Sequence, residues 1–164
     1  MITPNELIAI IQNYGILIYI IMFLGSFIET TFPFSFFIPG ELFFYSGTLL
    51  AILDIINIWI LYLVMVIGGI CGDSTSYIIG KKYGRKAFKK ENKYLSEKNL
   101  KKGEQTFQKY GGKKAVFLAR FLGPVSWIMP FIAGINNMQY KEFLKSNIPA
   151  VIVSIGQVIF IAYI

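Results

Sequence analysis

The chain has 164 residues, of which 55% are apolar and 15% charged. This composition excludes an ordinary soluble domain and predicts an all-α, multi-pass membrane protein with one domain over residues 1–164. One cysteine, Cys71, and no histidine exclude an intrachain disulfide and a His-based metal site, so we expect no cofactor. The net charge of +7 does not indicate a nucleic-acid partner, because 13 of the 16 Lys and Arg fall in one segment.

The N-terminal part predicts a first helical stretch over residues 3–12 and an apolar stretch over 16–28. The first residues hold no Lys or Arg and no small-residue cleavage site follows, which argues against a cleaved signal peptide. The apolar stretch is shorter than the roughly 20 residues of a span, and it runs into two prolines, Pro33 and Pro39. Because both remove backbone donors, a re-entrant hairpin fits better than a crossing.

Residues 42–53 are expected to return to the surface, where Asp54 and Asn57 mark a polar turn. Residues 58–72 with their flanks predict a full crossing. Near its far end Tyr77 is expected to anchor the helix at the membrane interface. Gly80 and Gly84 are four apart, which predicts close helix packing.

The strongly basic segment covers residues 81–114, where 13 Lys and Arg face three glutamates between apolar blocks. The positive-inside rule predicts a cytoplasmic loop. Within it, Ser96 is expected to cap a helix that runs to Tyr110 and stops at Gly111. Beyond the loop we expect a second proline-broken stretch over 115–134, a polar turn over 136–147 and a last span from 148 to 164.

The two broken stretches share one frame with opposite charge. The first contains Glu29, Pro33 and Pro39, and the second contains Arg120, Pro124 and Pro130, each 91 positions later. With one crossing between them, the hairpins would enter from opposite membrane faces as an inverted repeat. Ionisable groups are costly in apolar segments, so Glu29, Glu41 and Arg120 are expected to meet near the midplane at a transport site.

Five short motifs in this order resemble the DedA family of membrane proteins, also called the VTT or SNARE-associated domain. They are Glu29-x3-Pro33, Pro39-Gly40-Glu41, Gly72-Asp73-x3-Tyr77-x2-Gly80-x3-Gly84, Ala119-Arg120-Phe121 and Pro130-x2-Ala133-Gly134. The resemblance runs from about residue 15 to the end. It implies two facing re-entrant hairpins, shaped by Pro33, Pro39, Gly40, Pro124, Pro130 and Gly134. It also implies movement of undecaprenyl phosphate or phospholipids between leaflets of a prokaryotic plasma membrane.

The resemblance makes the acids of the first hairpin and Arg120 the functional residues. Glu29 and Glu41 are expected to exchange protons during transport, or else to neutralise Arg120 as a structural pair. A guanidinium can bind a lipid phosphate through two hydrogen bonds without losing its charge. Asp73 is either a further coupling residue or a surface acid.

One position departs from the family pattern. Many relatives carry a second arginine six residues after the first, where this chain has Ser126 followed by Trp127. A clamp of two arginines is therefore not expected here. Trp127 and Tyr77 are candidate contacts for a lipid tail, with hairpin packing as the other interpretation of Trp127 and an interfacial anchor as the other interpretation of Tyr77.

These observations predict a flippase-like or scramblase-like lipid transporter, with or without proton coupling. Two other hypotheses stay open, namely a proton-coupled transporter of a small ion or cationic solute, and a membrane scaffold that transports nothing. No Ser-His-Asp arrangement is possible without histidine, and no Gly-rich phosphate loop follows a strand. We therefore expect no catalytic residues and no enzymatic activity.

Overall fold

A computed structural model describes residues 14–36, 41–84 and 97–163. This part of the chain is helical and contains no strand. Its helices are α1 (Gly15–Thr30), α2 (Glu41–Ile52), α3 (Ile58–Tyr83), α4 (Glu97–Tyr110), α5 (Gly112–Ala119), α6 (Pro124–Ile135) and α7 (Tyr140–Tyr163), with a 3-10 turn at Phe34–Phe36. The predicted all-α class is thus confirmed.

Helix α3 is the central element of the fold. It begins where the Asn57 side chain accepts hydrogen bonds from the backbone N–H groups of Trp59 and Ile60, at 2.9 and 3.2 Å. It ends at Gly84, which adopts a φ of 55°. With 26 residues it is about 39 Å long, enough to cross a membrane. The crossing predicted from residue 58 is therefore present as a helix.

Helix α7 is the second element long and apolar enough to span a membrane. It begins at Tyr140, so the polar turn expected over 136–147 is wrong for most of its length. The polar residues there belong to the first turns of the helix, where Lys141 and Lys145 are exposed. Large apolar side chains such as Ile67 and Phe160 are also exposed on the two long helices, as expected of surfaces that face lipid.

Small residues allow the helices to approach α3 closely. A Cβ added at Gly72 would overlap the Thr30 side chain on α1, and one added at Gly80 would overlap the carbonyl of Phe131 on α6. Gly80 thus has the packing role that its spacing predicts. Within the described part of the chain, a Cβ added at Gly84 would meet no atom within 4 Å, and Gly84 serves as the end of the helix.

The junction after α1 is fixed to α3 by a buried serine. The Ser76 hydroxyl donates to the carbonyl of Thr30 at 2.9 Å and accepts from the backbone N–H of Phe32 at 2.7 Å. These bonds satisfy backbone groups that the broken helix leaves open. Pro33 follows at once, so the first break lies where it is predicted, while Pro39 and Gly40 lie outside the described residues.

The second break has a different cause from the one predicted. Pro124 is the first residue of α6, but Pro130 lies inside that helix and does not interrupt it. The chain turns at residues 120–123 instead, where Gly123 has a φ of 56°. Gly134 does not shape a turn either, because it lies against the Tyr77 carbonyl where α6 crosses α3. The role of Pro130 and Gly134 in shaping the hairpin is therefore corrected.

Candidate functional site

The turn between α5 and α6 places Arg120 between helices. Arg120 directly follows the last residue of α5, and its backbone N–H donates to the Phe117 carbonyl at 3.3 Å. The preceding residue, Ala119, is fully buried against the neighbouring helices. Since a break in the helix brings the side chain to α3 and α7, the position of Arg120 depends on backbone that is irregular at this point.

Arg120 forms a buried ion pair with Asp73 of α3. Its Nη1 lies 2.6 Å from the Asp73 Oδ2, and the two side chains are 13% and 2% exposed. Its Nε donates to the Ser154 hydroxyl of α7 at 3.2 Å. A charge-assisted hydrogen bond of this length is strong where water is scarce, so the pair links three helices.

Asp73 has a second polar neighbour on α7. The Asn147 side chain is 2% exposed and lies beside the same carboxylate, although its Nδ2 makes no hydrogen bond to any described residue. Asn147 and Ser154 are seven residues apart, which places them two turns apart on one face of the helix. The carboxylate is therefore enclosed by an arginine on one side and an amide on another.

A cavity of about 200 Å³ opens beside the ion pair. Its lining combines the charged groups with aromatic and small polar side chains. The lining residues are Glu29, Thr30, Phe44, Tyr45, Asp73, Arg120, Ser126, Trp127, Ser154, Ile155 and Val158. Both broken segments contribute to this one cavity, together with the two long helices.

The structure brings together four of the site residues that the sequence singles out. Glu29, Asp73, Arg120 and Trp127 all line the cavity, and Trp127 is 39% exposed. Glu41 begins α2, but its side chain lies outside what the structure describes. A meeting of Glu29, Glu41 and Arg120 is thus supported only for the first and the last.

Two expectations about helix α3 require correction. Asp73 is not a surface acid, because it lies in the middle of the helix and is 1% exposed. Tyr77 is not an interfacial anchor or a contact for lipid tails, since it is 2% exposed. Its hydroxyl donates to the Met138 carbonyl and its ring stacks on Phe143, with the ring centroids 4.9 Å apart. Both residues lie farther inside the protein than their distance from the loop indicates.

Sequence reasoning missed Asn147 and Ser154. Both are polar residues in the apolar helix α7, and polar groups within a span are costly enough to indicate a function or a partner. That signal was present in the sequence, but the predicted turn over 136–147 concealed it for Asn147. No group of three His, Cys, Asp or Glu residues suited to a metal ion occurs in the described ranges.

Comparison of the chain with known proteins identifies its family. The family model for the VTT domain matches residues 38–164. The chain belongs to the DedA family of membrane proteins. It is 34% identical to Protein DedA of Escherichia coli K12 over 146 residues, which are 87% of this chain and 66% of that protein.

Two further relatives are named as uncharacterized membrane proteins. An uncharacterized membrane protein of Mycobacterium leprae is 34% identical over 123 residues, covering 74% of this chain and 54% of the relative. An uncharacterized membrane protein of Bacillus subtilis is 31% identical over 119 residues, which are 68% of this chain and 73% of that protein. The chain spans two thirds or less of the length of the E. coli and M. leprae relatives. No solved structure is significantly similar to it.

Proposed function

We propose that this DedA protein moves a phosphate-headed lipid, such as undecaprenyl phosphate or a phospholipid, between membrane leaflets. The observation that carries the proposal is a buried arginine at a helix break, beside a cavity to which both broken segments contribute. A fixed cation in such a place is costly unless it has a partner or a ligand. A lipid phosphate supplies the charge that an arginine fork binds best.

Exchange of one anion for another would bring the phosphate to Arg120. In the structure the Asp73 carboxylate accepts a hydrogen bond from Nη1 of Arg120, and the Ser154 hydroxyl accepts one from Nε. An arriving phosphate would accept the hydrogen bonds of the guanidinium in place of Asp73. The displaced Asp73 carboxylate would then bond to the Asn147 amide or take up a proton. The Trp127 ring, on the cavity wall, would contact the first carbons of the lipid tail. With Ser126 in place of a second arginine, Arg120 carries phosphate recognition largely alone.

Proton coupling would depend on the acids of this cavity. Glu29 lines it beside Asp73, and Glu41 begins the next helix. Two carboxyl groups near one guanidinium leave an excess negative charge, and because an arriving phosphate increases it, one acid would take up a proton when the phosphate binds. Release of that proton would accompany a return of the carboxylate to Arg120. We assign no covalent chemistry and no enzymatic step to the site.

The proposed architecture is an inverted repeat of two re-entrant hairpins. Helices α1, α2, α5 and α6 have 16, 12, 8 and 12 residues, each too short for a hydrocarbon core of about 30 Å. Contacts support a repeat that matches α1–α3 with α5–α7. Helix α1 packs on α3 as α5 packs on α7, and α6 packs on α3 as α2 packs on α7. The cavity would lie where the two hairpins face each other.

A transport assay in liposomes tests the function. The purified chain is reconstituted with fluorescent lipids that differ only in their head group, and the inner-leaflet label is measured by its protection from a membrane-impermeant quencher. We expect movement of phosphate-headed lipids, and its loss in the double variant Asp73→Asn/Arg120→Gln. That variant removes both charges and so avoids an unpaired buried ion. Undiminished movement would contradict the proposal.

A second candidate is a proton-coupled transporter of a small ion or cationic solute. The presence of both Glu29 and Asp73 at the cavity favours it, because two acids could bind a cation while Arg120 serves as an internal counter-charge. Solute uptake driven by a pH gradient in the same liposomes, with no lipid movement, would support this candidate. If neither lipid nor solute moves, the remaining hypothesis is a membrane scaffold that transports nothing.

The proposal places residues 81–114 in the cytoplasm of a prokaryotic cell with the chain in the plasma membrane. Single cysteines at Lys109 and at Asp54 on a Cys71→Ala background test this orientation, since both positions are exposed. In intact cells an impermeant thiol reagent is expected to label the cysteine at 54 and not the one at 109. The opposite pattern would invert the topology.

A further inference from the structure

A second groove lies on the outer side of the α5–α7 pair. It has a volume of about 380 Å³ and is lined by Lys113, Lys114, Phe117, Leu118, Lys145, Ser146 and Pro149. None of these residues lines the cavity beside Arg120. The groove is therefore a separate feature, formed by different faces of the same two helices.

The rim of the groove is positively charged. Glu142 pairs with Lys113 and lies 4.0 Å from Lys145, while the Lys113 and Lys145 side chains are 64% and 65% exposed. Lys114 is exposed as well. Three lysines against one glutamate leave a net charge of about +2 at the opening. Lys113 and Lys114 lie in the first turn of α5, where the helix dipole adds to their charge and does not offset it.

The floor of the groove is apolar. Phe117 and Leu118 lie one turn farther along α5 than the lysines, and Leu118 is 39% exposed. Pro149 lies one turn beyond Lys145 on α7 and is exposed too. Cations above an apolar surface fit a molecule with an anionic head and a hydrocarbon tail.

The depth of the groove agrees with the level of lipid head groups. Along α7, Lys145 lies nine residues before Ser154, so the two residues are about 13 Å apart along the helix axis. If Ser154 and Arg120 lie near the midplane, the lysines lie near the surface that adjoins the basic segment 81–114. At that level the phosphates of one leaflet surround the protein.

We propose that this groove binds the head group of an anionic phospholipid of the leaflet next to the basic segment. The three lysines surround the phosphate, and the first part of an acyl chain lies on Phe117, Leu118 and Pro149. The binding needs no transport by the Arg120 cavity, so it can be tested by itself. Glu142 sets the charge of the groove by neutralising part of it.

Native mass spectrometry of the detergent-solubilised chain tests the site. Phosphatidylglycerol is titrated against phosphatidylcholine of the same chain length, and both dissociation constants are measured. We expect selective binding of phosphatidylglycerol. The triple variant Lys113→Gln/Lys114→Gln/Lys145→Gln should weaken it by about a hundredfold, because each such lysine contributes roughly fivefold near an anionic lipid. Glu142→Gln should strengthen it.

The matched control removes three lysines elsewhere. Lys101, Lys102 and Lys109 are exposed on α4, so changing all three to Gln alters the net charge equally. This control should bind phosphatidylglycerol like the unaltered chain, and equal weakening of both triple variants would overturn a local site. Lack of preference for phosphatidylglycerol in the unaltered chain would overturn it too. Competition by millimolar glycerol 3-phosphate would show a site for free anions and contradict a lipid site.

Discussion

The Asp73–Arg120 pair gives the sharpest test of the site. Asp73→Asn keeps the size of the side chain and one acceptor oxygen but removes its charge. The Arg120 guanidinium, 13% exposed, then loses its anionic partner at 2.6 Å. Removing one member of a buried pair destabilises a protein by about 3–5 kcal/mol, because the other charge stays buried. We expect this loss in the single variant.

The geometry sets the size of the interaction between the two residues. At 2.6 Å and an effective dielectric constant of about 20, the Coulomb attraction is about 6 kcal/mol before desolvation is subtracted. Desolvation of both groups offsets a large part of this attraction. A coupling energy of about 3 kcal/mol is therefore expected between Asp73→Asn and Arg120→Gln in a double-mutant cycle. The double variant should be more stable than either single one.

The assay is reversible unfolding of the purified chain in mixed micelles with increasing denaturing detergent, followed by far-ultraviolet circular dichroism. The matched control is Asp54→Asn, which removes an exposed carboxylate at a residue with a φ of 54°, a conformation that asparagine accepts. It should change stability by less than about 0.5 kcal/mol. If Asp73→Asn costs no more than this control, or if the two single effects simply add, the pair is not a stabilising link between helices.

Gly80→Ala should destabilise the protein by about 1–3 kcal/mol, because its Cβ would overlap a backbone carbonyl of α6. The control Gly156→Ala should be neutral, since the nearest neighbour of its Cβ is 3.6 Å away. Equal melting temperatures of the two variants would refute the close crossing of α3 and α6. Arg120→Lys should reduce lipid movement strongly, because lysine lacks the planar fork, and Ser126→Arg should leave it intact or tighten phosphate binding. Normal flipping by Arg120→Lys would show that a point charge is sufficient. Asn147→Leu should lower transport more than Asn147→Gln if the amide serves Asp73, and equal transport by the two would show that it does not.

The sequence predicted the elements that follow from local chemistry. The crossing from residue 58, the helix ending at Tyr110 and the breaks near Pro33 and Pro124 depend on apolar runs, glycines and prolines that act on their own neighbours. The choice of Arg120 and Glu29 also came from the sequence, because an ionisable side chain in an apolar stretch is costly wherever that stretch packs.

Partners in space depend on packing between helices, which local chemistry does not determine. Pro130 stays inside α6 because the turn at residues 120–123 already ends the preceding helix. Asp73 and Tyr77 look peripheral by their distance from the basic segment. They are buried because α6 and α7 cover that part of α3.

The composition, the two broken stretches and their charges were determined by the sequence alone, since each depends on the transfer cost of a residue or on backbone geometry within a few positions. Only the tertiary structure decided that Asp73 is the ion-pair partner of Arg120, that Ser154 accepts a hydrogen bond from Arg120 and that Asn147 lies beside Asp73. These contacts join residues 34 to 74 positions apart, and they form because glycines let α1 and α6 pack directly on α3 while α7 closes the site.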